Sequence, residues 1–159
     1  MTSRRGPTAP DFSHRIDIDV ECAALHAFLC DLENYEPLHP LIESIEEIDP
    51  RSDLPGARRW RVVDRIPVGP FRMRAAYVAA LEPVSDTEIR GHAWQSPGVR
   101  LKTVYALSEL AGGGTRLEEC VFVRAPWGMR RFVVGQACAS HATTLQRMKE
   151  LLEGGEVKR

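Results

Sequence analysis

From Arg58 to Arg124 apolar and polar residues alternate with period two in one run after another, and beyond Pro126 and Gly128 the period turns helical and stays so almost to the end. Period two puts one face of a strand on a core, and long strands joined by short turns pair antiparallel. A sheet with one apolar face needs a partner layer, and the only long amphipathic helix in the chain lies after all the strands. One earlier strand and a short helical stretch precede them. The order predicts an antiparallel sheet wrapped around a single C-terminal helix, an arrangement that tends to enclose a cavity.

Ser13 to Val20 alternates Ile16, Ile18 and Val20 against Arg15, Asp17 and Asp19 and predicts a half-buried strand. Ala24, Leu25, Phe28, Leu29 and Leu32 then recur at helical spacing, which predicts a helix over Cys22 to Leu32. Asn34, Pro37 and Pro40 interrupt it, so Tyr35 to Leu41 reads as an irregular or one-turn helical connector. Strands follow at Ile42 to Ile48, Arg58 to Ile66, Phe71 to Leu81, Thr87 to Gln95, Val99 to Leu110 and Thr115 to Arg124. Turns are expected at Pro83 to Asp86 and Ser96 to Gly98, and Gly112-Gly113-Gly114 suits a tight hairpin because glycine tolerates positive φ. Met129, Val133, Ala137, Ser140, Thr144, Met148 and Leu151 form the stripe of the final helix, which Gly154-Gly155 ends.

At 159 residues one domain is expected, divided as a loose leader over 1–12, a ligand-binding domain over 13–153 and a tail over 154–159. The net charge of -1, from 21 basic and 22 acidic residues, supplies no general attraction to nucleic acid or anionic membrane. Cys22, Cys30, Cys120 and Cys138 form no C-x-x-C pair and no zinc spacing, which suits isolated thiols in a reducing compartment. With no secretory signal and no apolar run of roughly 18 residues, a cytoplasmic location and no stable membrane insertion are expected. No metal and no cofactor is called for, and the oligomeric state reads as monomer or homodimer.

Three stretches carry a resemblance. IDIDVECAALHAF from Ile16 resembles a first strand running into a helix that ends in an aromatic residue. Asp31-Leu32-Glu33-Asn34-Tyr35 with His39-Pro40-Leu41-Ile42 resembles a "D-x-x-x-Y … hP-x-I" connector. HATTLQRMKELLE from His141 resembles an "H-x-x-x-L-x-x-L-K-x-x-L-E" tail, with Met148 where leucine is usual. Together they resemble the helix-grip superfamily of START-like lipid carriers, polyketide cyclases/dehydratases and birch-pollen-allergen relatives. The resemblance implies an α+β helix-grip fold: a curved antiparallel sheet of six to seven strands around a long C-terminal helix, with two short helices after the first strand. It implies a deep apolar cavity and no single activity.

In such a fold the concave face looks at the long helix. Placing Arg59, Arg61, Arg65, Arg72 and Arg74 in water puts Trp60, Val62, Asp64, Ile66, Phe71, Met73, Ala75, Tyr77 and Ala79 inside. The strand over Thr87 to Gln95 is ambiguous, since turning Gln95 inward turns Trp94 outward. Ala75, Ala79, Gly91 and Ala93 either let the helix approach closely or leave room for a ligand. The resulting candidate ligand-binding set is Trp60, Asp64, Met73, Tyr77, Gln95, Thr103, Tyr105, Glu119, Val121, Met129, Val133, Ala137 and His141. Buried carboxylates at Asp64 and Glu119 must meet a partner or carry raised pKa values. His141 is either a hydrogen-bonded border histidine or a cavity acid/base, and Tyr35 and His39 belong near the cavity mouth. Pro126 to Phe132 reads as a lid beside that mouth or as a membrane or nucleic-acid touchpoint. Two functions follow: binding or transport of a lipid, isoprenoid or polyketide-like small molecule, or alternatively a cyclase/dehydratase-like enzyme acting on a cavity-bound polyketone. No catalytic residue is assigned.

Overall fold

A computed structural model describes residues 8–51 and 53–154. The strands are β1 (Phe12–Ile18), β2 (Ile42–Ile48), β3 (Arg58–Val68), β4 (Phe71–Ser85), β5 (Glu88–Gln95), β6 (Val99–Glu109) and β7 (Thr115–Arg124). The helices are α1 (Cys22–Leu29) and α2 (Arg130–Leu152), with a 3-10 turn at Leu32–Tyr35 between α1 and β2. The strands form one antiparallel sheet of seven in the order β1-β7-β6-β5-β4-β3-β2. The chain therefore has the α+β helix-grip fold, and its first strand closes against its last, with His14 opposite Glu119. Most of the leader expected over 1–12 lies outside the described residues. Asp11 is described: its N–H donates to the Val121 carbonyl at 2.8 Å, and its carboxylate accepts from the Val123 N–H at 2.6 Å.

Several boundaries differ from the sequence reading. The first helix stops at Leu29 because Asp31 caps the next turn, its carboxylate accepting from the Glu33 N–H at 3.1 Å. The expected turn at Pro83 to Asp86 is strand up to Ser85, and the chain reverses only at Asp86 and Thr87. Pro83 is tolerated because a bulge between Pro83 and Ser85 interrupts the ladder there. Phe71 and Met73, expected on the inner face, are 75% and 48% exposed, since the tip of the β3–β4 hairpin extends past the helix.

The core is built at one end of the concave face. Leu25 and Leu29 from α1, with Leu38 from the connector, pack in one cluster with Trp60, Val62 and Leu81 of the sheet and Leu145 and Met148 of α2. Each large side chain of this kind contributes about 1.5–3 kcal/mol by leaving water. α2 leans mainly on β1 and β7. Among the described residues no helix is long and apolar enough to cross a membrane, and all four cysteines are free.

The β6–β7 hairpin turns on Gly113 (φ 92°) and Gly114 (φ 82°). A Cβ on Gly114 would sit 3.0 Å from the Ile18 carbonyl oxygen at the end of β1, so both conformation and space demand glycine. Gly114→Ala is expected to cost roughly 1–3 kcal/mol in urea unfolding. Gly112→Ala, where φ is not positive and nothing lies within 4 Å of the new Cβ, is expected to cost under about 0.5 kcal/mol. Equal losses at the two positions would contradict this account.

Candidate functional site

Away from the α1 end and from the β1–β7 side on which α2 leans, sheet and helix stand apart. Between them lies a cavity of ≈ 180 Å³. Its walls come from the inner faces of β3 to β7, from the connector and from α2. Apolar groups such as Ile66, Leu101, Val133 and Leu145 make up most of the surface, and the small Ala79, Gly91 and Ala93 leave the space unfilled.

Of the candidate set, Asp64, Tyr77, Gln95, Thr103, Tyr105, Glu119, Val133, Ala137 and His141 line this cavity. Trp60 and Val121 are fully buried and do not line it; Trp60 belongs to the cluster under α1, with the Arg58 guanidinium 4.9 Å from its ring centre. Met73 and Met129 are 48% and 40% exposed and lie outside it. Trp94 does turn outward, where it stacks on His92 at 5.6 Å. Trp127 is 101% exposed, while Phe132, one turn into α2, is 42% exposed and reaches the cavity wall.

The strongest feature of the site is a buried carboxylate between two imidazoles. Glu119, 1% exposed, accepts from His141 Nδ1 at 2.7 Å on Oε1 and from His14 Nδ1 at 3.1 Å on Oε2. The β1–β7 register supplies His14 directly across the ladder, and α2, leaning on the same two strands, supplies His141. Phe12 packs edge-on against both rings, at 5.4 Å from His14 and 5.7 Å from His141. Burial alone would raise the Glu119 carboxyl, but the His141 charge and the hydrogen bonds from His14 and His141 outweigh it and hold the group at about 2. Burial likewise disfavours a charged His141, yet the Glu119 carboxylate, by charge and by hydrogen bond, holds that imidazole above its ordinary value.

Asp64 has the opposite environment. It is 8% exposed, and among the described residues its carboxylate accepts one hydrogen bond, from the Tyr77 hydroxyl at 3.4 Å. Burial pushes its carboxyl up to about 6, against the weaker opposing effects of Tyr77 and the His141 charge. Burial also raises the phenols of Tyr35, Tyr77 and Tyr105, so all three stay neutral. His39 is held neutral, at about 3, by burial first and by the His141 charge second.

His14 and His39 were absent from the candidate set. A signal for His14 existed, since it shares the alternate face of β1 with Ile16 and Ile18. Glu119 meets a partner, as its burial demands, in two histidines from distant parts of the chain.

No protein-family model matches the chain. No curated protein matches it either. Solved structures do. A START superfamily protein from Mycobacterium smegmatis is 16% identical with a TM-score of 0.63, over 89% of this chain and 97% of that one. The di-domain ARO/CYC StfQ from the steffimycin biosynthetic pathway is 12% identical with a TM-score of 0.67, over 89% of this chain and 46% of that one. Ara h 8.0201 is 21% identical with a TM-score of 0.58, over 90% of this chain and 94% of that one. At these identities the likeness is one of fold, the helix-grip fold that the sequence motifs resemble.

The Asp64 environment yields a signed test. Its folded-state pKa of about 6 lies above its ordinary 3.8, so folding is penalised where the unfolded chain ionises and the folded one resists. The penalty is absent below the ordinary value, grows between the two and is constant above the higher. Asp64→Asn is expected to stabilise the protein by roughly 1–3 kcal/mol near neutral pH and by nothing measurable near pH 3.5. Urea titrations at the two pH values check it; an effect equal at both, or a loss near neutral pH, would refute the assignment.

Proposed function

We propose that the chain binds a compact apolar or amphipathic small molecule in the space between its sheet and α2. The carrying observation is the cavity itself: an apolar interior left open by alanine and glycine, with a few polar groups along its wall. The resemblance to START-like carriers and the likeness of fold to a START superfamily protein and to a di-domain ARO/CYC support this reading.

Size narrows the class. Apolar cavities of roughly 150 Å³ accept benzene or xenon. At ≈ 180 Å³ this one suits a molecule of one or two rings. The alternative of a cyclase- or dehydratase-like enzyme draws on one observation, that His141 is oriented by a carboxylate and lines the cavity, as a general acid or base would. Mass spectrometry of the natively purified protein separates the two: a retained intact ligand supports binding, and a bound molecule converted over time supports turnover.

Filling the space tests the cavity directly. Ala137→Phe from the helix side, or Ala93→Leu from the sheet side, is expected to weaken binding of a naphthalene-ring probe by at least about tenfold, with changes in stability within about 1–3 kcal/mol. Fluorescence titration reads the affinity and thermal unfolding the stability. Undiminished binding in both variants would place the ligand elsewhere and overturn the proposal.

A further inference from the structure

Most hydroxyls in and around the cavity already have acceptors. Tyr77 donates to Asp64 at 3.4 Å, Tyr35 to the Leu29 carbonyl at 3.2 Å, Ser140 to the Ala137 carbonyl at 3.2 Å and Thr144 to the Ser140 carbonyl at 2.8 Å. The two cavity imidazoles near Glu119 differ. His39 Nδ1 accepts from the Leu41 N–H at 3.3 Å, so its neutral ring carries the proton on Nε2. His141 commits Nδ1 to Glu119. Among the described residues neither Nε2 has a hydrogen-bond partner, and both rings line the cavity, their centres 6.2 Å apart. Neither Nε2 is sealed off by protein atoms, so both are open to an acceptor that enters the cavity.

We propose that His141 and His39 form the polar pole of this cavity and bind the carboxylate of a compact aromatic or alicyclic acid between their Nε2–H groups. This rests on reading the cavity as a ligand site. The surroundings favour an anionic oxygen over a neutral one. Glu119 on β7 is already answered by His14 on β1 and by His141. Arg147 on α2 approaches from the connector side, donating to the Leu38 carbonyl at 3.1 Å, and α2 carries no acidic residue from Arg130 to Lys149. Tyr35, Tyr77 and Tyr105 stay neutral. Two acids oppose an anion there: burial keeps Asp64 on β3 protonated up to about pH 6, and the Glu119 carboxylate is offset by the His141 charge it hydrogen-bonds. A bound carboxylate draws protons onto Asp64 and His141, so binding takes up protons and weakens as the pH rises past that point.

The test uses the full chain with two matched probes, 2-naphthoate and its neutral isostere 2-naphthamide, titrated at about pH 5.5 and about pH 8. The acid is expected to bind at least about tenfold tighter than the amide at the lower pH, with the preference shrinking several-fold at the higher. His141→Gln should bring the acid-to-amide ratio close to one. Because that change also disturbs Glu119, His39→Phe provides an independent variant, and it too should reduce the ratio. Equal binding of acid and amide at both pH values, or a preference that survives in both variants, overturns the polar pole while leaving the cavity reading in place. Binding of neither probe overturns both.

Discussion

One helix is too narrow for this sheet. An α-helix measures about 10–12 Å across with its side chains, and neighbouring strands lie about 4.8 Å apart. A single helix therefore covers two or three strands, and here there are seven. Curling the sheet shortens the distance to be covered without removing the excess. α2 resolves the mismatch by leaning on the β1 and β7 side, and α1 with the connector covers Trp60 at one end of the concave face. What remains uncovered is the middle of β3 to β6, where Ala79, Gly91 and Ala93 fill little space, and that remainder is the cavity.

The same lean explains the electrostatics. Contact of α2 with β1 and β7 brings His141 onto Glu119, and the β1–β7 register brings His14 to its other oxygen. A buried carboxylate is tolerated when its oxygens are hydrogen-bonded and a counter-charge is near. Glu119, lowered from 4.5 to about 2, contributes stability that is present above its ordinary value and lost as the pH falls through the lower one. His141, raised above 6.5, contributes stability that is present below its ordinary value and lost as the pH climbs through its folded one. The pair thus supports the fold most strongly in mildly acidic solution, the region in which His141 carries charge into the cavity wall.

Most strands and the final helix were legible in the sequence from their periods, and β7 begins and ends where alternation begins and ends. By contrast β2, with Ile42, Ile45 and Ile48, was placed by its bounds rather than by a clear facing. Alternation also marked Asp64, Thr103, Tyr105 and Glu119 as inward-facing polar groups. It could not tell which end of the concave face the short helix would plug. Trp60 and Asp64 share one face of one strand, four residues apart, yet the first lies in a filled core and the second on a cavity wall. Nor could local pattern pair residues 105 or 22 positions apart, which is the separation of Glu119 from His14 and from His141. Such contacts follow from sheet closure and helix lean, and both are properties of the assembled layers.

Two carboxylates in one cavity with opposite protonation tendencies show what that assembly achieves. Asp64 and Glu119 are both nearly inaccessible, so burial pushes both toward the neutral form. The difference lies in their partners. Asp64 meets one phenol, which can donate a hydrogen bond but no charge, and burial wins. Glu119 meets two imidazoles, one of which it charges, and burial loses. Separated pKa values within one enclosure divide it into a side that holds a proton on an acid and a side that holds a proton on a base.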